Sequence, residues 1–183
     1  QQPFPIYSLV GGKWTSFRAF SEEATDKALA DLGQTRKQHT THMAFGGGRD
    51  YPQSDADLTT WMEKVHAGTG LPEARIRTLF ERYGTRAAQI AAYVAAGGDI
   101  ALTHLPDYSQ REIAYLASEE KVMRLDDVIL RRSLIGFLGL ATPDVIRELA
   151  DVLAKVLEWS DERKQEEIDR TCALLREKHL VEL

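Results

Sequence analysis

The chain has 183 residues, 43% hydrophobic and 28% charged, with 23 basic against 28 acidic side chains and a net charge of −5. That balance fits one globular domain with a real core, or one and a half, and offers no positive footprint for nucleic acid. No apolar run approaches the roughly 20 residues that span a bilayer, and a lone cysteine, Cys172, excludes an internal disulfide and fits a reducing compartment.

Ile6-Tyr-Ser-Leu-Val10 is short, β-rich and bounded by Pro5 and Gly11, the pattern of a strand. Thr15 is placed to N-cap a first helix that carries Phe17, Phe20, Ala24 and Ala28 on one face and ends near Gly33. From Gln34 to Pro52 there is no periodicity, and Gly46 to Gly48 mark the longest loop. Ser54 and Asp57 form a capping-box pattern before Leu58, Trp61, Met62 and Val65, spaced i, i+3, i+4, i+7, with Gly68 and Gly70 ending the helix. Ile76, Leu79, Phe80 and Tyr83 make a second amphipathic set, stopped by Gly84.

Thr85 then caps a helix of small residues that closes at Gly97-Gly98. After Pro106, Ser109 and Glu112 make another capping box, and Leu125, Val128, Ile129 and Leu134 mark the helix after it. Thr142-Pro143-Asp144 supplies a cap, a proline at the first helical position and an acid in the first turn. Val145, Leu149, Val152, Leu153 and Val156 are its apolar stripe. Ser160 caps the final helix, which carries Ile168, Cys172 and Leu175 inward.

These patterns predict an all-α bundle of about seven or eight helices, with Trp61, Phe80, Leu149, Leu153 and Ile168 buried and no sheet of three or more strands. The strand at 6–10 is an orphan, because its backbone groups need a neighbouring strand. Its sheet is expected in a part of the protein outside this chain, and the opening on Gln1 rather than Met fits such a piece. The expected division is a remnant of that other domain at 1–13 and a helical domain at 14–183. Residues 1–13 are then poorly anchored, or pair with another copy of the chain.

No G-x-G-x-x-G and no G-x-x-x-x-G-K-[ST] occurs, so a complete dinucleotide or P-loop site is not encoded. His39-Thr-Thr-His42 lacks a patterned third ligand for a metal. Gly46-Gly-Gly-Arg-Asp50 reads as a loop rather than a phosphate cradle, since no capped helix follows directly. Arg131-Arg132 has two readings, a grip for phosphate or a solvated or interface helix face. Asp161 to Arg170 reads as an exposed face of i, i+4 pairs, and Cys172 as an inert residue of an apolar stripe.

The remaining motif is Gly11-Gly12-Lys13-Trp14-Thr15, between the strand and the first helix. Two glycines let the backbone approach something flat or charged. The amides that open a helix favour anions, and Lys13 adds a full positive charge. The plain alternative is a tight strand-to-helix connection capped by Thr15.

Ser8-Leu-Val-Gly-Gly-Lys-Trp-Thr-Ser-Phe-Arg18 closely resembles the signature that ends the flavin domain of FAD-dependent glycerol-3-phosphate dehydrogenases, usually T-V-T-G-G-K-W-T-T-Y-R. Arg82-Tyr-Gly-Thr-Arg-Ala87 looks like the family's Y-G-x-x-A element. Glu112 to Tyr115, Glu119 to Lys121 and Leu125 to Arg132 look like its E-[IV]-x-Y, E-x-A and L-x-D-x-L-x-R-R segments, and Trp159-Ser160 like its closing pattern. Val10, Ser16 and Phe17 replace the usual Thr, Thr and Tyr, and Lys121 stands where a small residue is more common. These departures weaken hydroxyl contacts to a cofactor and permit a divergent substrate.

The resemblance implies a C-terminal helical domain preceded by the last strand and glycine turn of a flavin domain. The parent enzyme would oxidise sn-glycerol 3-phosphate to dihydroxyacetone phosphate with FAD and pass electrons to quinone, at the periphery of the cytoplasmic membrane. In this reading Gly11, Gly12, Lys13, Trp14 and Thr15 bind the cofactor, and Lys13 is also catalytic. The partners are the N-terminal FAD-binding domain, glycerol 3-phosphate and quinone, with no nucleic acid and room for a homodimer. The chain alone is then inactive and binds neither FAD nor glycerol 3-phosphate measurably. The other reading is a non-catalytic helical interaction or dimerisation module.

Overall fold

The computed structural model describes residues 4–11 and 13–183, with the backbone but not the side chain of Trp14. The chain divides into two compact units, one ending at Phe45 and the other running from Gly46 to Leu183.

In the first unit the segment at 6–10 is extended but pairs with no strand, and among the described residues the chain forms only one isolated bridge, Ala101 to Ser109, in the second unit. The strand expected there is therefore not formed within this chain. One side chain ties the segment down: the Tyr7 hydroxyl donates to the Asp31 carboxylate and lies 3.3 Å from the Lys27 carbonyl. A 3-10 turn at Trp14–Ser16 leads into α1 (Phe17–Asp31). Thr15 does not cap it; the turn has already taken Thr15 up, and Ser16 stands at the N-cap without a side-chain bond. α1 buries no residue: Phe20 and Ala24 are half-buried, Phe17 and Ala28 exposed.

Polar contacts hold the following segment to α1. Glu22 accepts from the Thr40 amide at 2.7 Å and its hydroxyl at 2.6 Å, and Arg36 bridges Glu22 at 2.6 Å and Asp26 at 2.9 Å.

The second unit is helical and has two cores. α2 (Asp55–Thr69), α3 (Glu73–Tyr83) and α4 (Ala87–Ala95) enclose Met62, Val65, Ile76, Leu79, Phe80, Ile90 and Val94. α5 (Gln110–Glu119), α6 (Leu125–Asp127), α7 (Pro143–Val156) and α8 (Asp161–His179) enclose Ile113, Leu116, Leu125, Ile129, Ile146, Leu149, Leu153 and Leu175. Each fully buried Leu or Ile contributes about 1.5–3 kcal/mol relative to exposure. Tyr83 packs against both cores.

The expected caps at Ser54, Thr142 and Ser160 form, each side-chain oxygen accepting the amide three residues on at 3.1–3.3 Å. Gly70, left-handed at φ +69°, ends α2, while Gly68 lies inside it. Three expectations need correction. Trp61 and Ile168 are half-buried at the margins of the cores, and Leu134 is 51% exposed beyond the helix that was to bury it. Leu134 lies outside because α6 widens into a π turn, Val128–Arg132, where the Ser133 hydroxyl donates to the Val128 carbonyl five residues back at 2.6 Å. Thr85 sits in a 3-10 turn, Gly84–Arg86, and does not cap α4; its hydroxyl lies 3.0 Å from the Gly47 carbonyl and 2.6 Å from that of Arg49.

Candidate functional site

The turn between the extended segment and α1 is open. Gly11 takes φ +110°, a conformation L side chains rarely adopt, although a Cβ there would meet nothing within 4 Å. Conformation, not crowding, asks for glycine at that position. Gly12 lies outside the described residues. Lys13 is exposed, its backbone extended at φ −101° and ψ 142°, and it makes no ion pair among the described residues. Its carbonyl accepts from the Ser16 amide at 3.0 Å and the Ser16 hydroxyl at 3.2 Å. Thr15 is exposed.

The first amides of the helical run have no intrahelical acceptor, so positive potential gathers beside an uncompensated ammonium group. Such a turn stabilises negative charge that develops next to it. A flat group that gains negative charge on reduction, as a flavin does, fits these residues: the glycine side is uncrowded and Lys13 is not consumed by a neighbouring carboxylate.

In the same unit, α1 and the 34–45 segment line a groove of about 710 Å³ with Phe17, Leu29, Met43 and Phe45 on its apolar side. The Arg18 guanidinium donates to the Thr40 and Met43 carbonyls and lies 4.8 Å from the Phe45 ring centre. The hydroxyl and amide of Thr40, with Arg36, hold the Glu22 carboxyl down to a pKa of about 2.

The second unit contains a buried ionic network that the sequence pattern concealed. Glu112 is fully buried, and its carboxylate accepts from Arg75 Nη2 at 2.8 Å, Arg82 Nη1 at 2.9 Å and the Tyr83 hydroxyl at 2.7 Å. The Ser109 side chain does accept the Glu112 amide at 3.2 Å, but the Glu112 side chain turns to α3 rather than back to its own helix end. Arg75 also bonds Asp99 at 2.7 Å, and the Arg82 guanidinium lies 3.6 Å from the centre of the Tyr108 ring. Burial first, and then the Glu112 charge, push the Tyr83 hydroxyl far above its ordinary pKa, so it stays protonated and donates.

A second cluster joins α6 to α8. Asp126 pairs with Arg131 at 2.8 Å and with Arg170, while buried Glu167 accepts from the Leu125 amide at 3.0 Å and Arg163 at 2.6 Å. Burial pushes the Asp126 carboxyl up, but Arg131 and Arg170 outweigh it and hold the group below the usual range. Both networks fix one helix against another. Spacing could flag the Arg163–Glu167 pair four residues apart, but not the partners 29 to 44 residues away.

Among the described residues, no three or more His, Cys, Asp or Glu side chains are grouped to hold a metal ion, and His39 and His42 stand in the first unit without such partners. Nor is any helix there long and apolar enough to cross a membrane.

The family model described as the C-terminal domain of alpha-glycerophosphate oxidase matches residues 38–164. Glycerol-3-phosphate dehydrogenase 2 of Mycobacterium tuberculosis is 30% identical over 162 residues, which cover 85% of this chain and 26% of that protein. Glycerol-3-phosphate dehydrogenase of Mycobacterium leprae is 30% identical over 175 residues, covering 92% and 28%. The mitochondrial glycerol-3-phosphate dehydrogenase of Rattus norvegicus is 25% identical over 181 residues, covering 93% and 24%. The chain thus spans about a quarter of the length of the curated relatives it matches. The family read from GGKWT, the Tyr83-Gly84 element and Arg131-Arg132 is the family these matches return, and the chain belongs to it: the C-terminal domain family of alpha-glycerophosphate oxidase, shared with glycerol-3-phosphate dehydrogenases.

Proposed function

We propose that this chain is the C-terminal part of a flavoprotein that oxidises sn-glycerol 3-phosphate to dihydroxyacetone phosphate and passes the electrons to quinone at the membrane periphery. FAD, when bound, would accept the hydride at N5 and relay the electrons. Residues 1–13 would complete an N-terminal FAD-binding domain, and residues 14–183 would form its helical cap.

Within that enzyme Gly11, Gly12, Trp14 and Thr15 would hold the cofactor, the glycines by letting the backbone come close and the start of the helical run by favouring negative charge. Lys13 supplies the cation. The observation that carries the reading is Lys13 itself: an exposed ammonium at a helix start, with no carboxylate partner among the described residues. An interaction that strengthens as negative charge develops lowers the barrier more than it tightens the ground state.

The test is Lys13→Met in the full-length enzyme. The expected result is a kcat lower by about 10²- to 10³-fold, a flavin harder to reduce, and an unchanged helical circular dichroism spectrum. Unchanged kcat, KM and flavin potential would reduce the turn to a connection.

Exposed Leu134 (51%), Phe137 (88%) and Leu138 (57%) favour a second reading, a helical interaction or dimerisation module. Sedimentation of the chain over a range of concentrations separates the two, because only the module reading requires self-association or a partner for function.

A further inference from the structure

We propose that the second unit carries a binding site for a phosphate group, built from Arg82, Arg86, Arg131 and Arg132 around the glycine turn at Gly46–Gly48. These residues line one cavity of about 510 Å³, and Glu120 is the only acid in its wall. A neighbouring cavity of about 250 Å³ shares Arg82, Arg131 and Arg132, so the guanidinium groups stand between two solvent-accessible spaces. Arg82 and Arg131 are paired with Glu112, Asp126 and Asp127, and Arg86 with Glu120, so Arg132 is the one of the four without a carboxylate partner among the described residues.

The arginines are held in place without being used up. Arg82 bonds Glu112 and the Asp107 carbonyl through Nη1 and lies over the Tyr108 ring. Arg131 reaches Asp126 and Asp127 through Nη1, both at 2.8 Å. Arg132 donates from Nε to the Glu120 carbonyl at 2.7 Å and has no carboxylate partner among the described residues. The remaining guanidinium nitrogens of these three make no hydrogen bond among the described residues. Guanidinium forks match phosphate oxygens two at a time, and forks already fixed lose little freedom when the anion arrives.

Arg86 is paired with Glu120 at 2.6 Å, so an arriving phosphate competes with that carboxylate for it. The part of the wall formed by Gly46 to Gly48 brings no side chains to the cavity. Gly47 packs so closely on α3 that a Cβ would lie 1.9 Å from the Tyr83 carbonyl oxygen, and Thr85 ties the turn at the Gly47 and Arg49 carbonyls. This part of the wall is therefore both bare and fixed. Inorganic phosphate and phosphate monoesters share the dianion these residues recognise.

The experiment titrates the chain with inorganic phosphate and, separately, with glycerol 3-phosphate, by calorimetry and by the shift in Tm. The variants are Arg132→Gln and Arg131→Gln, with Arg147→Gln as control; Arg147 lies on the exposed face of α7 and pairs only with Asp144 among the described residues. Saturable binding is expected in both titrations. Loss of one charged donor should raise Kd about tenfold or more in Arg132→Gln and Arg131→Gln, and leave it unchanged in Arg147→Gln. Equal affinity for the two ligands shows that the site reads the phosphate group alone; tighter binding of the ester shows that it also reads the carbon skeleton. No saturable binding of either ligand overturns the proposal, as does an Arg132→Gln variant that folds and binds like the parent.

Discussion

The two units solve the problem of stability differently. Every buried apolar side chain among the described residues lies in the second unit, where caps, stripes and turns agree on two cores. Among its described residues the first unit buries none. Phe4, Ile6, Leu9 and Val10 are each more than 60% exposed, and α1 is held to the 34–45 segment by Glu22, Arg36 and Arg18. A run of apolar residues with nothing to cover it costs solvation that surface ion pairs, worth about 0–1 kcal/mol each, cannot recover. The second unit has the composition of a structure complete in itself; the first has the composition of one wall of something.

The largest effect expected from this contrast is at Glu112. Glu112→Gln removes the buried charge that Arg75 and Arg82 share and should destabilise the second unit by about 3–5 kcal/mol, because it leaves two half-buried cations short of a partner. Urea denaturation followed by circular dichroism measures it. A midpoint close to the parent's would show that Asp99 and solvent compensate.

Next comes a matched pair of truncations. Leu149→Ala, at a fully buried position, should cost about 2–5 kcal/mol. Phe20→Ala, at a half-buried position of α1, should cost under about 1 kcal/mol. Comparable losses at both would break the distinction between the units.

The smallest effect is a pH dependence at the Glu22 contact of the first unit. Thr40 and Arg36 lower the Glu22 pKa, so its contribution is fully present above the ordinary glutamate range. It is lost as pH falls from there through about 2. The Thr40 amide, which donates to Glu22 at 2.7 Å, should shift in NMR spectra across that window. A Thr40 amide that already shifts near pH 4.5 and is steady below it would show that the contact is absent in solution.

What the sequence disclosed follows the range of the interactions. α7 and α8 were legible because their starts are local: Thr142 and Ser160 each bond an amide three residues on, and the buried stripe of α7 repeats within one helix. Glu112 and Thr85 were misread for the same reason. Both sit in positions that suit a cap, yet their partners lie 29 to 38 residues away, where no local pattern points. The π turn at Val128–Arg132 was invisible because it depends on Ser133 reaching back to Val128 and on Gly136 donating to the Ile129 carbonyl. At the candidate site Gly11 takes a positive φ that suits its glycine, but the capping role assigned to Thr15 was not realised.

The most direct test of the account is hydrogen exchange of residues 6–45, measured in this chain alone and in the full-length flavoenzyme proposed above. The account predicts that amides of Ile6 to Val10 and of α1 exchange at least about tenfold more slowly in the full-length protein, while the core amides of α7 exchange equally in both. Equal protection of residues 6–45 in the two proteins would contradict it.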